Sequence, residues 1–368
     1  MTEPAVVDDV MSRLAGIVAG SPVAEARAMR PDVIRFTQTS DDAMLRPKSA
    51  AGFTRAERAA IGVRIARRLE DRALIAHYEA MLRLLDPSGA LFDTTQGAAP
   101  TTADRWSRML AHADRLTADP GASEPAHLKL LGDAGLSPQA IVALSQLIAY
   151  VNYQSRARAG LAVIGAGSAA SAQVPNALPR VKPMRDFTKG ELEWEPWLTP
   201  VELDHATAEQ REALKITPSN RAVGAYALVL AHDPDSVKER SPLYNAIMFG
   251  PKGLARADRE LGATVASRIN GCAYCASVHA KRFLDLAKEP EVMERLHKDG
   301  LGAMPDPRRA AIVDYAAKLT SRPSTLGPAD AAPLRAVGLG DGDILDLTNA
   351  VAMFGWANRL MQSLGGTA

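Results

Sequence analysis

The sequence predicts an all-α protein, on three observations. Apolar residues recur at steps of three and four through long segments rich in alanine, leucine and arginine: the step is four in Leu261, Val265 and Ile269, and four then three in Ile312, Ala316 and Leu319. Runs of alternating β-branched residues, the mark of half-buried strands, are missing. Prolines fall between the periodic segments, where they end helices instead of breaking them. At 368 residues the chain exceeds one ordinary core, so two or three domains are expected.

Taken in order, the elements suggest one plan used twice. In the first half, Arg55-Ala56-Glu57-Arg58 opens a helix that continues to Arg68-Leu69, and Trp106 to Leu161 is helical with a Gly135-Leu136 turn. Gly165 to Pro183 is rich in Gly, Ala, Ser and Pro and has no period that could bury a face, which reads as a linker. In the second half, Arg256-Ala257-Asp258-Arg259 and Arg268-Ile269 echo the first helix with a small change of register. Arg309 to Leu364 then matches Trp106 to Leu161 in one register, setting Leu319-Thr320 on Leu116-Thr117, Gly338-Leu339 on Gly135-Leu136, Trp356 on Tyr153 and Arg359 on Arg156. Ala/Leu/Arg-rich helices can match by accident, but the turn and the aromatic-to-arginine spacing hold register together. The expected organisation is a domain over 1–164, a linker over 165–183 and a second domain over 184–368.

Composition excludes several function classes. An apolar share of 47% with 23% charged residues describes a globular chain, and 43 basic against 42 acidic residues leave no field to attract nucleic acid. No apolar run approaches the length of a membrane span. Met1 to Val10 carries Glu3, Asp8 and Asp9 without a basic stretch, so no secretory signal is read and the cytoplasm is the expected compartment.

Cys272 and Cys275 are the chain's two cysteines. Random placement would set two cysteines three apart only about once in two hundred chains. Leu254 to Ile269 is one amphipathic helix, Asn270-Gly271 breaks it, and the next helix is expected from about Cys272 to Ala287. Both sulfurs then sit in a first turn, where unpaired N–H groups and the positive dipole end favour a thiolate. His279 lies four beyond Cys275, on the same face. Glu260 belongs to the preceding helix, which must fold back antiparallel, so its carboxylate can reach His279. At the matching place the first half has Asp71, Arg72, Leu74 and Ile75, so it has no cysteine chemistry to offer.

Arg259-Glu260, then Ser267-Arg268-Ile269-Asn270-Gly271-Cys272-Ala273-Tyr274-Cys275, and then His279 resemble the AhpD-like branch of the carboxymuconolactone decarboxylase superfamily. That branch carries a glutamate twelve residues before a Cys-x-x-Cys and a histidine four after it. Phe187 to Leu214, with Trp194-Glu195-Pro196-Trp197 and Thr207-Ala208-Glu209-Gln210, is similar to the lead-in of its peroxidase-related members. The resemblance implies an AhpD-like helical fold, here as two tandem copies in one chain of which the N-terminal copy is degenerate. It also implies a homo-oligomer, and reduction of organic hydroperoxides or hydrogen peroxide without haem, flavin or metal. It assigns Cys275 as the peroxidatic thiol, Cys272 as the resolving thiol, and Glu260 with His279 as a proton relay. An external dithiol, a lipoyl group or a thioredoxin-like protein, would reduce the disulfide. Tyr274 stands where some members carry a histidine; it is a secondary candidate, either a hydrogen-bond donor at the site mouth or a packed ring.

Plainer readings stand beside these. The cysteines could be two small buried hydrophobes, or zinc ligands with His279 and a fourth ligand such as His297 brought from another helix. Glu260 could be a solvated residue paired with Arg256 or Arg259. His77 falls close to the His279 position in the first half and, without thiols, reads as structural. Trp194 and Trp197 read as anchors for the lead-in, and Met304, Met353 and Met361 as fillers. The alternative functions are a disulfide oxidoreductase or redox-sensing oligomer, a lyase of the decarboxylase type, and a non-catalytic helical scaffold.

Overall fold

The structure, a computed structural model, describes residues 8–97, 102–167, 181, 184, 187–190, 192–298, 300–301, 304 and 306–367. It is all-α, as the periodicity predicts; the β-structure among these residues is one short antiparallel pair, Trp194–Pro196 with Gly365–Thr367. The described residues contain no single helix long and apolar enough to cross a membrane. Most of the expected linker lies outside them, and helix Pro138–Gly165 ends where that stretch begins.

The chain folds into two compact units, each drawing on both halves of the sequence. The first unit takes its body from Phe36–Ser155 and adds Trp194–Asn245 and Trp356–Ala368. The second takes its body from Ala246–Gly355 and adds Met1–Arg35 and Arg156–Glu193.

In the first unit, helix Arg55–Arg68 is opened by a reciprocal cap: Thr54 Oγ1 accepts from Glu57 N at 3.1 Å and Glu57 Oε2 accepts from Thr54 N at 2.6 Å. A tight turn with Glu70 in the left-handed region (φ 54°) leads to Asp71, whose carboxylate caps helix Arg72–Leu85 at Leu74 N. Behind that helix Tyr78 is fully buried and donates to Gln154 Oε1 at 2.5 Å. Gln154 Nε2 and Tyr150 OH both donate to Asp41 Oδ1, at 3.1 and 3.0 Å. Trp194 Nε1 donates to the Met361 carbonyl at 2.9 Å, and the backbone N–H of Trp197 to that of Leu364 at 2.9 Å, so the lead-in is tied to Trp356–Ala368 within this unit.

The second unit repeats this succession. Helices Arg256–Ile269 and Ala273–Ala287 form a hairpin over Asn270-Gly271-Cys272, with Gly271 at φ 78° where the first unit has Glu70. A short 3-10 turn, Pro323–Thr325, and helix Pro328–Ala336 follow helix Pro307–Ser321, as Pro120–Ala122 and Pro125–Asp133 follow Arg105–Ala118. One bond recurs in both units. Arg359 Nη2 donates to the Thr117 carbonyl at 3.1 Å in the first, and Arg156 Nη2 to the Thr320 carbonyl at 2.7 Å in the second. These are the arginines and threonines that the sequence sets in register.

Candidate active site

The hairpin of the second unit builds the site. Its first helix opens at Arg256 instead of Leu254: Ala255 stays extended (φ −53°, ψ 140°), and the Leu254 carbonyl accepts from the Arg259 side chain. At Gly262 a Cβ would stand 2.8 Å from Leu347 Cδ1, so the missing side chain lets helix Asp341–Ser363 lie close. The second helix begins one residue after the expected start. Cys272 is its N-cap, with an extended backbone (φ −89°, ψ 94°) and a side chain that makes no capping bond. Its N–H donates to the Ser267 carbonyl at 2.9 Å and its carbonyl accepts from Ala276 N at 3.0 Å. Cys275 falls in the first turn and His279 one turn below it.

Neither cysteine is in a disulfide, and both are nearly enclosed, at 3% and 5% exposure. Glu260 is 0% exposed and His279 4%, which removes the solvated reading of the glutamate. Glu260 Oε2 is hydrogen-bonded to His279 Nδ1, and Oε1 accepts from Arg256 Nε at 3.1 Å. Arg259 instead serves backbone carbonyls of Ile247, Gly250 and Leu254. The imidazole stands edge-to-face on Phe354, with ring centroids 4.3 Å apart.

Electrostatics fix the protonation pattern. Burial pushes the Glu260 carboxyl up, but His279, Arg282 and Arg256 outweigh it and hold the group below its ordinary range. Burial pushes His279 down, Glu260 draws it back up, and Arg282 and Arg256 push it down again; the net is a lowered value. The resulting pattern at neutral pH is a carboxylate beside a neutral imidazole. Nδ1–H then donates to Glu260, and the Nε2 lone pair is left to act as a base. A thiol one turn away on the same helix can be activated by such a pair.

The sequence-assigned residues Glu260 and His279 thus meet, and Cys272 and Cys275 flank the start of the helix that carries His279. Tyr274 is half-buried beside Cys275. His297 Nε2 donates to the Phe187 carbonyl at 2.8 Å, which ties it to the lead-in. The lead-in itself rests on the cysteine helix, Thr188 N donating to Ser277 Oγ at 2.9 Å. Two residues escaped the sequence reading. Arg282 is three beyond His279, a spacing that could have placed it beside the pair; Phe354 comes from a remote helix and leaves no local signal. Aligning the caps Asp71 and Cys272 sets Tyr78 opposite His279 and His77 one residue before it, with Ala59 opposite Glu260 and Leu74 opposite Cys275.

Residues 234–297 match the model of the carboxymuconolactone decarboxylase family. Among solved structures, an uncharacterized peroxidase-related protein from Ralstonia eutropha JMP134, described as an alkylhydroperoxidase AhpD core, is 30% identical over 38% of this chain and 73% of that one, with a TM-score of 0.35. Comparison with curated proteins finds no match.

Proposed function

Because the chain belongs to the AhpD-like, carboxymuconolactone decarboxylase superfamily, we propose that its second unit is a thiol-dependent peroxidase acting on organic hydroperoxides or hydrogen peroxide. The observation that carries this reading is the buried Glu260–His279 bond one helical turn below Cys275. A buried imidazole with its Nδ1 held by a carboxylate serves no packing purpose that an apolar residue would not serve better. It suits proton transfer to and from a neighbouring nucleophile.

In the proposed cycle the Cys275 thiol gives its proton to His279 and attacks the distal peroxide oxygen. The O–O bond breaks, the leaving oxygen takes the proton from His279 and departs as alcohol or water, and Cys275 becomes a sulfenic acid. The Cys272 sulfur then attacks Cys275, water leaves, and a disulfide closes. An external dithiol returns both thiols and is itself oxidised to a disulfide. The near-complete burial of both sulfurs favours a slender peroxide and a dithiol on an extended arm, such as a lipoyl group, over a bulky protein disulfide. A thioredoxin-like reductant would need the site to open.

The same reading takes the chain as two tandem copies, supported by the repeated succession of elements and the reciprocal arginine bonds. The N-terminal copy, with Ala59, Asp71, Leu74 and Tyr78 at the four site positions, is a scaffold. A duplicated chain presents quasi-equivalent faces and so assembles into a homo-oligomer; sedimentation showing only monomer at micromolar concentration would contradict that part.

The test is peroxide consumption coupled to oxidation of a dithiol, measured on the wild type and on Cys275→Ser. Loss of turnover in the variant supports the peroxidase. Undiminished turnover rejects it, and activity on muconolactone that survives removal of both thiols would point to a lyase instead.

A further inference from the structure

Resting on the relay proposed above, we infer that Arg256 is a positioning residue of the thiol site: it occupies Glu260 Oε1, and so commits the carboxylate, ionised, to His279. Glu260 is fully buried and has two oxygens to satisfy. Oε2 is taken by His279 Nδ1; among the described residues Oε1 has one hydrogen-bond partner, Arg256 Nε at 3.1 Å.

The other charges around the pair do not substitute for it. On the same helix Arg259 spends its guanidinium on backbone carbonyls. On the cysteine helix Arg282 faces the pair electrostatically but makes no hydrogen bond to it. On the packed helix Pro307–Ser321, Arg308 and Arg309 are committed to Asp258, and Arg309 also to Glu289 at 2.7 Å. Arg256 is itself held in place, its guanidinium 4.1 Å above the centre of the Phe249 ring. That stacking matters because the side chain is 36% exposed and would otherwise sample many rotamers.

The chemical consequence follows from the proton's path. When Cys275 gives its proton to His279, an imidazolium forms in a buried place, and only an ionised Glu260 stabilises it. Without Arg256 the carboxyl takes up a proton more readily, the imidazolium loses its counter-charge, and less thiolate forms at a given pH. Arg256 touches neither sulfur nor peroxide in this scheme; it acts through Glu260.

The experiment uses the full chain in a Cys272→Ser background and measures the rate of Cys275 alkylation by iodoacetamide against pH, with no peroxide present. R256Q is expected to slow alkylation at pH 7 about two- to fivefold and to move the profile to higher pH; R256K restores most of the rate. E260Q moves the profile at least as far, and R256Q adds nothing in the E260Q background, since one acts through the other. If E260Q moves the profile and R256Q does not, even with lowered thermal stability, Arg256 is merely structural and the inference fails while the relay stands. If E260Q leaves the profile in place, the relay fails and this role falls with it.

Discussion

Glu260→Gln isolates the charge on which the proposed chemistry turns. Glutamine keeps the size, and its carbonyl can still accept from His279 Nδ1, so the packing survives while the ionised acceptor is lost. The contact is almost wholly buried, with Glu260 at 0% and His279 at 4% exposure, so it carries the undiminished worth of a charged hydrogen bond, about 2–3 kcal/mol. The Arg256 pair on the other oxygen is partly open to solvent, the arginine being 36% exposed, and contributes less than about 1 kcal/mol. If the first term is expressed in the barrier for sulfenic acid formation, the rate of peroxide consumption falls roughly 30- to 150-fold. The assay is single-turnover oxidation of the reduced protein by an organic hydroperoxide, with circular dichroism and thermal melting as controls for folding. A folded variant that keeps more than about half the wild-type rate would refute the relay.

Other perturbations test the surroundings. Phe354→Ala removes the ring against which His279 stands and empties a site that is 1% exposed; urea unfolding should report a loss of about 3–5 kcal/mol, and a loss under 1 kcal/mol would deny the contact. His112, buried in the first unit with Nε2 3.0 Å from Ser145 Oγ, is pushed by burial down to about 3, so the unfolded chain binds its proton first and stability is lost as pH falls from 6.5 toward 3. His112→Gln should therefore lose about 2 kcal/mol less than wild type between pH 7 and 5 in paired urea titrations. Burial pushes Asp233 up to about 6, so the folded state holds its proton longer and stability falls as pH rises from 3.8 through 6. Asp233→Asn, whose amide oxygen can still accept from Ser236 Oγ, should raise stability at pH 7.5 by up to about 2 kcal/mol and do nothing at pH 3; the opposite order would overturn the burial argument.

Much of the site was legible because it is local. Two helices joined by Asn270-Gly271 can only fold back on each other, so Glu260 and His279, counted from that turn, must face across it. Cys275 and His279 needed only the helical repeat. The helix starts were misplaced by one or two residues because Ala255 and Cys272 take extended, cap-like backbone that apolar periodicity does not register. What pattern could not reveal is long-range. Phe354 reaches His279 from a helix seventy-odd residues on, and the choice of which helix completes which unit depends on surfaces that look alike in both halves. Arg156 and Arg359 read the same in sequence whether each binds the threonine of its own half or of the other.

The thiol cycle is tested most directly by adding one equivalent of organic hydroperoxide to the reduced protein and mapping the sulfur products by mass spectrometry. A Cys272–Cys275 disulfide is expected in the wild type and, in Cys272→Ser, a sulfenic acid trapped by dimedone on Cys275. Untouched thiols in the wild type, or a sulfenic acid forming on Cys272 in the Cys275→Ser variant as fast as on Cys275, would contradict it.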